Sequence, residues 1–106
     1  MLLIDNNNIQ LTYKDSALIT VYLYIDSEPY NLNENEHVYF KVIKNCIKEE
    51  TIFLLECEKE SATKILIEIT HESALLFDKG CYVYDLYIMQ GNNQYTIIHN
   101  AKFEIV

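Results

Sequence analysis

Ile65, Ile67 and Ile69 alternate with Leu66 and Glu68, and the same alternation returns along the chain in short runs separated by polar breaks. A period of two places successive side chains on opposite faces of an extended strand. Residues 9–13, 17–25, 38–42, 51–57, 65–69, 81–89 and 95–106 all carry strand-type patterning, the fourth apolar on both sides and the last either continuous or broken near Asn100. In 17–25, Val21, Leu23 and Ile25 share one face while Thr20, Tyr22 and Tyr24 share the other. In 81–89, Tyr82, Tyr84, Leu86 and Ile88 form one face. The breaks are rich in turn residues: Asn6-Asn7-Asn8, Asp26-Ser27-Glu28-Pro29, and the polar stretches 31–36, 45–50, 59–63 and 90–94. No stretch is long enough for a crossover helix, which argues against a parallel α/β fold. The expectation is all-β: an antiparallel, immunoglobulin-like β-sandwich of about seven strands. A single helical turn over 70–77 precedes the sixth strand, capped by Thr70 or Ser73, with Glu72 in its first turn. Ala74, Leu75 and Leu76 are expected to pack beneath the sheets, and Gly80 ends the turn.

With 106 residues and no Gly/Ser-rich or Pro-rich linker, the whole of 1–106 reads as one domain. Eight lysines and no arginine face 16 acidic residues, a formal charge of −8. That balance argues against direct contact with a nucleic-acid backbone, which requires basic charge. No apolar run approaches the roughly 20 residues of a membrane-spanning helix. Met1-Leu2-Leu3-Ile4 has no basic flank and stops at Asp5, so it is not a secretory signal peptide. Three widely spaced cysteines, Cys46, Cys57 and Cys81, read as reduced thiols of a protein made in the cytoplasm.

Little in the sequence suggests catalysis. His37, His71 and His99 lie in separate segments with no second ligand at metal-site spacing. Cys81 and His99 fall on strands that could be neighbours, but no glycine-rich turn supplies oxyanion donors. Glu56, Glu58 and Glu60 alternate along a strand and its exit, so Glu56 and Glu58 would share a face fit for a hard cation; a solvated strand edge explains them better. No catalytic, cofactor-binding or metal-binding residues are assigned.

Asp78-Lys79-Gly80-Cys81-Tyr82 is more specific. Its D-x-G-x-Y form is that of the corner entering the sixth strand of immunoglobulin-like sandwiches, where the tyrosine ring fills the core and its hydroxyl bonds nearby backbone. Asp78, Gly80 and Tyr82 are therefore structural candidates. Tyr84 stands where antibody-type domains carry a disulfide cysteine, which excludes that branch.

Taken with residues 9–15 (Ile-Gln-Leu-Thr-Tyr-Lys-Asp), 38–42 (Val-Tyr-Phe-Lys-Val), 65–70, 76–86 and 102–106 (Lys-Phe-Glu-Ile-Val), the chain resembles the small immunoglobulin-like domains of phage tail and baseplate proteins, such as the N-terminal domain of the baseplate upper protein. The order and spacing match over nearly the full length. The acidic-glycine turn usual after the second strand is Asp26-Ser27-Glu28-Pro29 here. The resemblance implies a non-enzymatic structural or assembly component of a tail-like particle, located in the virion and assembled in the host cytoplasm. Its partners would be other tail or baseplate proteins, with a homo-oligomer also open.

The strand phases also mark a surface. If Tyr82, Tyr84, Leu86 and Ile88 face inward, Val83, Asp85, Tyr87 and Met89 face outward. Tyr39 and Ile43 point out from the third strand, and Tyr22 and Tyr24 from the second. In immunoglobulin topology the third and sixth strands are neighbours, so Tyr39, Ile43, Val83 and Tyr87 would form a protein-docking patch. A different class of function also fits the acidic charge: a small inhibitor imitating nucleic acid to block a host enzyme. It would need carboxylates ranged along one surface, whereas here they scatter among strand ends and turns. A carbohydrate-binding sandwich lacks the support of any tryptophan.

Overall fold

The computed structural model describes residues 1–45, 47 and 49–106; Cys46, expected as a reduced thiol, lies outside the described residues. Eleven strands and one short helix are described. The first hairpin is β1 (Leu2–Asp5) and β2 (Asn8–Leu11), turning through Asn6 and Asn7 at φ 48° and 70°. Asparagine tolerates that left-handed region better than most residues, and the two-residue turn suits the strands' twist. Then follow β3 (Ala17–Tyr22), the small hairpin β4 (Tyr24–Ile25) and β5 (Glu28–Pro29), β6 (Glu36–Ile43) and β7 (Thr51–Glu56). After these come β8 (Glu58–Ser61), β9 (Lys64–Ile69), α1 (His71–Ala74), β10 (Gly80–Gln90) and β11 (Asn93–Ile105).

The larger sheet has the order β1-β2-β11-β10-β6-β7, and a second sheet the order β3-β9-β8. Every pairing is antiparallel except β2 on β11, which is parallel from Phe103↔Ile9 to Ile105↔Leu11. Both sheets contribute to one core cluster: Val38, Phe40, Leu86 and Phe103 from the larger, Ile19, Ile65, Ile67 and Ile69 from the smaller. Phe77, arriving from the chain after α1, sits 5.2 Å from Phe103, 5.9 Å from Phe53 and 5.5 Å from Tyr82 (ring centroids). Alternation therefore does what it promises in β9 and on the inner phase of β10, where Tyr84, Leu86 and Ile88 are buried.

The strand count exceeds the expected seven because short elements hide inside segments read as breaks or as single strands. Leu2–Asp5 pairs with β2. The run 17–25 divides at Leu23, and Ile25, expected to face inward with Leu23, is 54% exposed. Asp26 and Ser27, at φ 52° and 68°, close the hairpin of β4 and β5, with Tyr24 opposite Pro29. Residues 59–61, read as part of a turn over 59–63, belong instead to β8 at the edge of the smaller sheet. Tyr13, placed in the first strand from the sequence, lies beyond β2.

In α1 the Thr70 hydroxyl accepts from the Ser73 N–H at 3.1 Å, satisfying a donor that one helical turn leaves unpaired. Ala74 and Phe77 are buried, but Leu75 and Leu76 are both 56% exposed. A single turn presents only one narrow stripe to the core, so these two leucines do not pack beneath the sheets.

Candidate functional site

The outer face of the larger sheet carries the most developed surface feature. In β10 and β6 the registers Tyr87↔Tyr39 and Val83↔Ile43 bring those four residues onto neighbouring strands. The Tyr39 and Tyr87 rings stack at 5.6 Å between centroids, 25° apart, as a cross-strand aromatic pair. The Tyr39 hydroxyl donates to Glu56 Oε1 at 3.1 Å, and His37 Nδ1 lies 3.7 Å from Glu56 Oε2. The hydrogen bond to Glu56 raises the Tyr39 pKa; burial and then Asp85 raise that of Tyr87. Both hydroxyls thus stay protonated donors through the physiological range. Leu54, Met89, Asn35 and the β10–β11 turn complete a shallow, open groove around the pair.

Three of the candidate interface residues part from it. Ile43 is only 9% exposed, because the β6–β7 register slips between Val42 and Ile43, and both consecutive residues become buried. Tyr22 and Tyr24 are 61% and 57% exposed but belong to β3 and β4. They are not part of the groove around the Tyr39–Tyr87 pair, and Lys64 Nζ lies 5.6 Å from the Tyr22 ring. Val83 remains on the face, half-buried. Leu54 went unnoticed in the sequence because its strand reads as apolar on both sides; as an edge strand, β7 leaves it 53% exposed.

Asp85, on the same face, anchors a bulge. Its Oδ1 accepts from the Asn100 N–H at 2.7 Å and lies 3.1 Å from His99 Nδ1. Opposite Asp85 the β10–β11 register gains a residue, and a second shift follows at Ile97. Asn100 takes φ 52° there. The expected irregularity near Asn100 is therefore a bulge inside one strand.

At the corner, the Tyr82 hydroxyl donates to the Asp78 carbonyl at 3.2 Å and accepts from the Asp78 N–H at 2.9 Å. Gly80 has φ 145°, a conformation side-chain-bearing residues rarely take. Tyr84 is 3% exposed and donates to the Asn7 carbonyl at 2.5 Å, with burial pushing its pKa up to about 12.

The other chemical candidates do not converge. Cys81 pairs in register with Glu104, its Sγ 3.7 Å from that carboxylate, while His99 sits several residues along β11 beside Asp85. Glu56 ends β7 in the larger sheet and Glu58 begins β8 in the smaller one, so the face they were expected to share does not exist. Buried Cys57 lies at the crossing between them. Its backbone N–H donates to the Val38 carbonyl at 2.8 Å, and burial raises its thiol to about 12. Among the described residues no group of three or more His, Cys, Asp or Glu is placed to hold a metal ion. Among the described residues no helix is long and apolar enough to cross a membrane.

Sequence reasoning missed Glu36, assigned to a polar loop. It opens β6 at 1% exposure. It accepts from the Tyr30 hydroxyl and, at 3.1 Å, from the Asn33 N–H. Its place immediately before an alternating strand was the available signal. The chain matches no protein-family model and no curated protein.

Proposed function

We propose that the chain is a non-enzymatic structural or assembly module with an immunoglobulin-like sandwich, of the kind built into phage tails and baseplates. It would act in the virion through protein contacts on the outer face of its larger sheet. The immunoglobulin-like reading is supported by the strand order, with β3, β9 and β8 in one sheet against β11, β10 and β6 in the other. The Tyr82–Asp78 corner at the entry to β10 supports it too. The extra short strands would then be elaborations at the edges of that plan.

The observation that carries the functional reading is the Tyr39–Tyr87 stack. Two rigid aromatic rings with protonated hydroxyls, beside exposed Leu54, have the composition favoured at the centre of protein interfaces. The nucleic-acid-mimic reading loses ground because Glu36 is buried, while Glu56 and Asp85 are engaged within the chain.

The test is a Tyr39→Ser/Tyr87→Ser variant, assayed by sedimentation and by incorporation into particles from the producing host. The expected outcome is a folded chain that no longer associates. Unchanged mass and unchanged incorporation would refute the docking face, and competition with DNA for a host nuclease would move the assignment to the mimic class.

A further inference from the structure

A seam on the opposite flank is unaccounted for by the docking face and is independent of it. There β3 faces β1, β2 and Ile98 of β11 across one cleft, and Leu23 with β4 faces residues 95–97 of β11 across a second, each of about 280 Å³. Tyr84 and Leu86 line the first cleft and Ile88 the second. No charged side chain lines either cleft, in a chain of net charge −8. Along the seam Ile4, Tyr22, Tyr24, Ile25, Tyr95 and Ile97 are 40–61% exposed, a concentration of apolar surface that marks an interaction site.

The backbone says what class of occupant fits. β3 pairs with β9 on one side only, and among the described residues no other hydrogen bond reaches the backbone of Ala17–Tyr22. β11 meets β2 only from Phe103 to Ile105. β3 and the upper part of β11 therefore each present an unpaired strand edge, the surface to which an extended chain adds. β2 already does this at the lower end of β11, burying Ile9 and Leu11. The bulges make β11 the irregular edge, whereas β3 keeps a continuous register.

We propose that the seam receives an extended, uncharged segment of another polypeptide that alternates apolar and polar side chains. The segment adds to β3 as a strand and seats its apolar side chains in the two clefts. A lipid acyl chain would fill the clefts but leave the covered backbone donors and acceptors unpaired, which is costly. A second copy pairing edge to edge would leave the clefts empty, since the inward residues of its own β3, Ala17 and Ile19, are buried in its own core.

The experiment titrates the isotope-labelled full chain with the peptide acetyl-Thr-Ile-Thr-Val-Thr-Ile-Thr-amide, followed by amide NMR and hydrogen exchange. Supporting results are shifts confined to the seam and slowed exchange across 17–22. An Ile4→Lys/Ile97→Lys variant, with unchanged exchange in β9 as the folding control, should bind the peptide about tenfold or more weakly. Four results would each overturn the proposal: no shift at millimolar peptide, equal binding of a control with proline replacing the central valine, shifts centred on Tyr39 and Tyr87, or seam perturbation by laurate alone.

Discussion

Glu36 shows how a polar residue earns a core position. At 1% exposure its carboxylate is tolerated because the Tyr30 hydroxyl and the Asn33 N–H both donate to it, and a buried charge without such donors would be strongly unfavourable. The bond runs both ways: hydrogen bonding to Glu36, then burial, lifts the Tyr30 pKa to about 12. Glu36→Ala strands both donors and should destabilise the chain by about 2–3 kcal/mol, while Glu36→Gln keeps an acceptor and should cost about 1 kcal/mol. Urea denaturation measures both. In the alanine variant the Tyr30 ionisation, read by ultraviolet titration, should fall back toward the ordinary tyrosine value of about 10.

Among the elements, the corner at the foot of β10 joins the helical turn to the sheet through one hydroxyl that both donates and accepts at Asp78. Tyr82→Phe keeps the ring against Phe77 and removes both hydrogen bonds, so the expected loss is about 1–2 kcal/mol with the core unchanged. Thermal and urea unfolding, with the aromatic NMR signals of Phe77 as the packing control, check it. This scale is also where the sequence is most legible. Ile65, Ile67 and Ile69 alternate cleanly because β9 lies between two strands and buries one face. Positive-φ turns at Asn6-Asn7 and Asp26-Ser27 carry their own chemistry, so the breaks there are readable. The strands flanking the second turn are only two residues each, too short for any period to register. At Val42-Ile43 a register slip overrides alternation altogether.

For the whole molecule, alkaline pH probes how tightly the sheets close. Tyr30 and Tyr84 are both raised to about 12, and Cys57 likewise, chiefly by hydrogen bonding to Glu36 in the first case and by burial in the others. Their neutral forms are favoured in the folded state, whereas the unfolded chain ionises them near about 9–10. Their contribution to stability is therefore intact below about pH 9 and is lost as pH rises from about 9 to 12. Urea midpoints should hold between about pH 7 and 9 and fall steeply above about 10. A midpoint independent of pH through that window would mean these groups are open to solvent.

Period-two patterning determined that this chain is all-β, where most of its strands run and which phase of β9 and β10 faces inward, because alternation is a local property of an extended backbone. Only the tertiary structure decided which strands become neighbours. It made Cys57 the crossing that sends Glu56 and Glu58 to different sheets, removed Ile43 from the outer face, buried Glu36 and left the edge of β3 open. Those outcomes depend on pairings between residues far apart in the chain, and alternation names a residue's face without naming what lies across from it.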